Sequence, residues 1–269
     1  MKRALSIAGS DPSGGAGIQA DLKTFAAFGV YGASAVTAVT VQDTLGVRAV
    51  RPVPPGVVAA QASAVLEDVG ADAVKTGMLV DGAVVRAVAE VLEAHPPPHL
   101  VVDPVSLAKD GTELLDRGGR AEMTARLLPL CEVFTPNLEE AGLFLGRPVE
   151  RVGEMADAAA ALHRLGPRCV VLKGGHLEGD PVDLLFDGTG VMKGRRRRIH
   201  TRSLHGTGCT FAAALTACLA LGADPREAFR RARRFVGRAI RRAPGFGRGA
   251  GPLNHCIRPG PVRGREAEP

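Results

Sequence analysis

The chain has no tryptophan, a single tyrosine and only 4% aromatic residues among its 269. Base stacking needs such rings, so the formal charge of +6 is not read as a nucleic-acid footprint. Lysine is scarce as well. Only six of the 34 basic residues are lysines, an arginine bias that fits genome composition or heat adaptation better than a partner. The five cysteines (Cys131, Cys169, Cys209, Cys218, Cys256) are odd in number, widely spaced and without a CxxC pair, which argues against a disulfide framework or a zinc knuckle. No apolar run reaches the ~18 residues of a membrane span, and the run after Arg3 is too short for a signal peptide. The expectation is a cytoplasmic protein with neither a membrane nor a nucleic-acid partner. Two phosphate-binding signatures are also missing: there is no GxxxxGK[ST], and Gly9 to Gly17 does not spell GxGxxG.

Hydrophobic residues make up 45% of the chain, enough for one large core. Short runs rich in Val, Ile and Ala alternate with segments of helical period, the pattern of βα units around a largely parallel sheet. Strands are expected over residues 3–8, 30–41, 71–76, 100–102, 133–135 and 168–173. A hairpin is expected over 182–186 and 191–199, turning at Asp187-Gly188. Ile18, Leu22, Phe25 and Phe28 mark a first helix, and others are expected over 55–69, 81–94, 112–128, 138–145, 152–165, 209–221 and 225–242. No repeat or linker divides the chain, so one domain over 1–256 with a flexible tail over 257–269 is expected.

Parallel sheets gather ligands at the carboxyl ends of their strands. Gly9-Ser10-Asp11, Gln42-Asp43, Lys75-Thr76-Gly77, Asp103, Thr135-Pro136-Asn137 and Lys173-Gly174-Gly175 all fall at such ends. His205-Gly206-Thr207-Gly208-Cys209-Thr210 stands directly before an apolar helix, where exposed N–H groups form an anion hole suited to a phosphoryl group in transfer. A glycine turn capped by Thr207 would look the same. Cys209 reads equally as a thiolate base with a lowered pKa and as a small buried residue, while Cys131, Cys169 and Cys218 read as core. Asp103-Pro104 fits a Mg²⁺–nucleotide site or a turn, and Asn137 with Glu140 has capping-box spacing. Asp21 faces either the rim or solvent, and Gln42 offers the donor and acceptor that suit an aminopyrimidine edge. Arg195 to Arg198 read as a solvated hairpin strand.

Taken in order, AGSDPSGGAGIQADLKTF (8–25), TAVTVQDTLGV (37–47), KTGML (75–79), VVDPV (101–105), AKDG (108–111), TPNLEEA (135–141), LKGGH (172–176), DLLFDG (183–188), HGTGCTFAAAL (205–215) and GPLNH (251–255) form a specific set. With it the chain resembles the hydroxymethylpyrimidine/phosphomethylpyrimidine kinases of the ribokinase-like superfamily. The resemblance implies a three-layer α/β/α fold, ATP with Mg²⁺, two successive phosphorylations on the route to thiamin, and a homodimer. It also implies that Asp21 and Gln42, with Gly9, Val41 and Met78, hold the pyrimidine. Gly206, Thr207, Gly208 and Cys209 would form the catalytic anion hole, with Cys209 where most ribokinase-like enzymes place an aspartate base. Asp103, Asn137, Lys173 and Thr207 would serve the nucleotide, and Asp103 and Glu140 the metal. Departures are Ser106 for the usual Met, Leu204 for Thr and Pro12 for Ser. A pyridoxal kinase on the same scaffold and a non-catalytic pyrimidine-binding regulator are the rival readings.

Overall fold

The computed structural model describes residues 1–108, 111–175 and 177–260. Part of AKDG, His176 of LKGGH, and residues 261–269 of the expected tail lie outside the described residues.

Nine strands form one sheet in the order β3-β2-β1-β4-β5-β6-β7-β8-β9. They are β1 (Arg3–Ser10), β2 (Tyr31–Asp43), β3 (Gly46–Pro52), β4 (Ala73–Thr76), β5 (Leu100–Val102), β6 (Val133–Phe134), β7 (Cys169–Gly174), β8 (Val182–Phe186) and β9 (Val191–Arg195). The pairings β2-β1-β4-β5-β6-β7 are all parallel, β3 and β8 run antiparallel to them, and β9 pairs antiparallel with β8 at the edge. The central strands are buried on both faces, so they read as apolar runs rather than alternating ones.

Helices cover both faces. α2 (Pro55–Ala64), α3 (Gly82–Ala94), α4 (Arg117–Glu122), α5 (Leu138–Leu145) and α6 (Met155–His163) pack on one core, which contains Leu5, Val88, Phe134 and Leu162. On the other face α1 (Gly17–Ala27), α7 (Thr207–Ala220) and α8 (Pro225–Arg241) enclose Phe25, Phe211, Leu215 and Phe235, and Ile257 is buried with them. This is the expected three-layer α/β/α arrangement. α7 is buried from Thr210 to Ala220, and its alanines let α1 and α8 approach on either side. α8 is amphipathic: Asp224 caps it, Pro225 opens it, and Phe235 packs 5.0 Å from Phe28.

Three details differ from expectation. Residues 46–52 form an unforeseen edge strand, and the helix expected from 112 begins only at Arg117, where Asp116 accepts from the Gly119 amide. Leu107 and Glu113, and Val80 and Leu115, form bridges that hold residues 112–115 extended. The strand expected over 191–199 stops at Arg195.

Candidate active site

The carboxyl ends of the strands open into a cavity of about 1940 Å³. Its wall includes Gly9, Asp11, Gln42, Met78, Asp103, Asn137, Glu140, Lys173 and the whole run His205–Cys209. Asp21 and Val41 are not among the lining residues. Val41 is 52% exposed, because strand alternation aims Thr40 inward and turns its neighbour out.

Two glycine loops interlock at one end. Gly206 takes φ 76°, and a Cβ there would come within 1.8 Å of Gly15 O. Gly17, at φ 57°, leaves the same kind of clearance under Gly9 O. Asp11 ties the loops: its carboxylate accepts from the amides of Ser13 and Ala16 (2.9 and 2.8 Å) and from His205 Nε2 (2.8 Å). Burial pushes its pKa up, but the bonds from His205, Ser13 and Ala16 outweigh that and hold it at about 2. Met78 lies against Gly9, where a Cβ would meet its Cε at 2.5 Å.

α7 starts at this junction with no side-chain cap. The Thr207 hydroxyl and amide both donate to Leu204 O (2.7 and 3.3 Å), so the amides of Gly208 and Cys209 are the first-turn donors turned to the cavity. A Cβ on Gly208 would stand 3.3 Å from Lys173 Nζ and 3.9 Å from Asp103 Oδ2. Cys209 is half-buried, and the expectation of a lowered pKa is corrected. Burial pushes the thiol up to about 11 although the Lys75 ammonium and the Gly17 amide pull the other way.

Under the floor, Lys75 and Asp21 form a buried ion pair of 2.7 Å, and Ser6 Oγ donates to the same Asp21 oxygen at 2.6 Å. Neither Lys75 nor Asp21 exposes any surface. Burial opposes the charge on Lys75, but Asp21, Cys209 and Asp103 hold its pKa above the ordinary lysine value. Burial raises that of Asp21 despite Lys75, and Asp21 Oδ1 has no hydrogen-bond partner among the described residues. The sequence places Lys75 at the rim but gives it no role, since its partner lies 54 positions away.

At the other end, Asp103 Oδ1 accepts from Lys173 Nζ (2.7 Å) and Thr135 Oγ1 (2.9 Å), which leaves Oδ2 toward Gly208. Asn137 and Glu140 close the expected capping box, with Glu140 N donating to Asn137 Oδ1 (2.8 Å) and Asn137 N to Glu140 Oε2 (2.7 Å). Glu140 Oε1 also accepts from Ser106 N at 3.2 Å. Val105 (φ 38°) and Val80 (φ 70°) hold a left-handed backbone that β-branched residues rarely adopt, and Val105 delivers that Ser106 amide. Burial raises the Glu140 pKa, with Lys173 opposing, and a divalent cation there would favour its ionised form further. Asp103 and Glu140 are hard oxygen donors. They fit Mg²⁺, which keeps waters and phosphate oxygens for its remaining positions.

The profile of the family described as phosphomethylpyrimidine kinase matches residues 11–254. The bifunctional thiamine biosynthesis protein ThiED of Geobacter sulfurreducens is 48% identical over 262 residues, 97% of this chain but 54% of that protein, so the chain spans about half its length. The hydroxymethylpyrimidine/phosphomethylpyrimidine kinase of Bacillus subtilis is 44% identical, with 94% of each chain covered. Among solved structures, pyridoxal kinase from Staphylococcus aureus in complex with ADP superposes with a TM-score of 0.88 at 40% identity, covering 95% of this chain and 93% of that one.

Proposed function

The chain belongs to the phosphomethylpyrimidine kinase family, and from that membership we propose that it moves the γ-phosphoryl group of ATP onto 4-amino-5-hydroxymethyl-2-methylpyrimidine. A second transfer then converts the monophosphate to the diphosphate on the route to thiamin diphosphate. One juxtaposition carries the reading: the first-turn glycine of α7 faces the Lys173–Asp103 pair across the same cavity that Gln42 enters.

In this reading Gln42, Gly9 and Met78 hold the pyrimidine ring. Asp21 acts from beneath by fixing Lys75, and Val41 is withdrawn from the substrate set because its side chain faces outward. The amides of Gly208 and Cys209 receive the γ-phosphate, whose charge spreads over its oxygens as the bond to ADP breaks. Lys173 offsets that charge, and Asn137 holds the loop beside it. Mg²⁺, when bound by Asp103 and Glu140, supplies further charge neutralisation. A protonated Cys209 thiol orients the attacking hydroxyl rather than removing its proton at rest. A loose transition state asks for little early deprotonation, so positioning and the anion hole carry more of the rate.

A cytoplasmic homodimer completes the reading. Five unpaired thiols support the compartment, and the outward strip Val39, Val41 and Leu45 supports a self-pairing face. The likeness to pyridoxal kinase makes pyridoxal the competing substrate. A coupled ADP-release assay with Mg-ATP should compare hydroxymethylpyrimidine, its monophosphate and pyridoxal. Turnover of the two pyrimidines well above pyridoxal is expected; turnover of pyridoxal alone would overturn the assignment.

A further inference from the structure

Gln42 enters the cavity from the end of β2, and its amide sits between Thr40 and His205. Thr40 Oγ1 lies 3.0 Å from Ser10 O and 3.2 Å from Gln42 Oε1. His205 Nε2 lies 2.8 Å from Asp11 Oδ2 and 3.4 Å from Gln42 Nε2. Counting protons decides how these groups must pair. Asp11 accepts from two backbone amides and the Ser13 hydroxyl as an anion, so the His205 nitrogen that faces it carries a proton and cannot accept another from the Gln42 amide nitrogen. Ser10 O can only accept, so it takes the single Thr40 proton. Thr40 therefore meets the Gln42 amide with its lone pairs. The one Nε2 proton is held by Asp11, so His205 excludes the amide nitrogen from its side, and Thr40 accepts that nitrogen on the other; together they leave an amide whose oxygen faces His205 and whose nitrogen faces Thr40.

We propose that Asp11 and His205 are positioning residues that, by leaving no lone pair on His205 Nε2 for the Gln42 amide nitrogen, fix that amide with its oxygen on the His205 side and its nitrogen toward Thr40, and thereby set which heterocycle edge the site accepts. The inference rests on the reading above that Gln42 meets the substrate ring. Locked in this way, the amide presents an N–H and a carbonyl lone pair at fixed places. Their complement is a ring nitrogen beside an exocyclic amino group. A 4-aminopyrimidine has that pair, whereas pyridoxal has no amino group next to its ring nitrogen. The lock is stiff because the His205 ring packs on Gly15, where a Cβ would come within 2.3 Å of Cδ2, and because Asp11 is itself bound into its loop.

Two measurements test it. In the first, the full chain is labelled with ¹⁵N-histidine and its ring nitrogens are read by NMR without substrate, the His205 signals being assigned by their loss in His205→Gln. A proton on Nε2 of His205 is expected; a ring protonated on Nδ1 alone would overturn the lock. In the second, kcat and KM are measured for the aminopyrimidine and for pyridoxal in wild type, His205→Leu and His205→Gln. His205→Leu should raise KM for the aminopyrimidine about tenfold, with a smaller change for pyridoxal. His205→Gln, whose side-chain N–H reaches the same place, should recover most of the loss. Equal KM shifts for both rings, or no recovery by glutamine, would sink the proposal. If the wild type phosphorylates neither ring, the kinase reading falls while the NMR result still decides where the proton sits. The wild-type spectrum also decides it if the leucine variant does not fold.

Discussion

With its pKa at about 11, the Cys209 sulfur keeps its proton at neutral pH, and the Lys75 ammonium beside it softens the effect of burial without reversing it. Only the thiolate is alkylated at a useful rate. Iodoacetamide labelling of Cys209, followed peptide by peptide with exposed Cys256 as internal control, should therefore keep rising to about pH 11. A plateau reached below pH 9 would show that the lysine and the helix amides prevail. The charge beneath Cys209 has its own test. Lys75→Met would leave the Asp21 carboxylate without its counter-ion and should cost ~3–5 kcal/mol in urea unfolding. Lys75→Met/Asp21→Leu should recover much of this, since a neutral pair needs no compensation. A single variant within ~1 kcal/mol of wild type would mean that Asp21 takes up a proton without penalty.

The start of α7 works through two glycines that serve different ends. Gly206 needs its positive φ and its contact with Gly15, so Gly206→Ala should lower the melting temperature and abolish turnover together. Gly208 has an ordinary φ, and its neighbours are Lys173 and Asp103 across the phosphate path. Gly208→Val should fold with nearly the wild-type melting temperature yet lose kcat/KM for ATP by about 100-fold, as when an oxyanion-hole donor is blocked. Equal effects of the two substitutions on stability would refute this division. The helix itself was legible in the sequence because an apolar run follows a Gly-rich turn, and the Asn137–Glu140 box was legible from its three-residue spacing. β3 was not. Gly46–Pro52 begins with glycine, ends with proline and is only half-buried along its length, so neither period nor composition separates it from a loop. The late start of α4 was hidden for another reason: Thr112 to Leu115 suit a helix locally, but their bridges to Leu107 and Val80 prevail over propensity.

For the whole molecule, the rule that parallel sheets present ligands at one rim placed six polar clusters together from sequence alone. Which of them pair is a matter of sheet order. Lys173 reaches Asp103 from β7 past β6, and Lys75 reaches Asp21 from the far side of β1, distances that no local pattern encodes. The outward strip on β2 invites a test of assembly: Val39→Glu/Val41→Glu should convert a dimer to a monomer in sedimentation velocity, and an unchanged sedimentation coefficient would move the interface elsewhere. The proposed anion hole, finally, is the free end of a helix buried from Thr210 to Ala220, flanked by α1 and α8 and backed by the sheet. Its interior has no partial opening available to it, so the amides of Phe211 to Ala220 should exchange with deuterium only when the entire chain unfolds, while the Gly208 and Cys209 amides at the cavity exchange from the folded state. Heat inactivation and heat unfolding should then share one midpoint, with no temperature window in which a folded but dead enzyme accumulates.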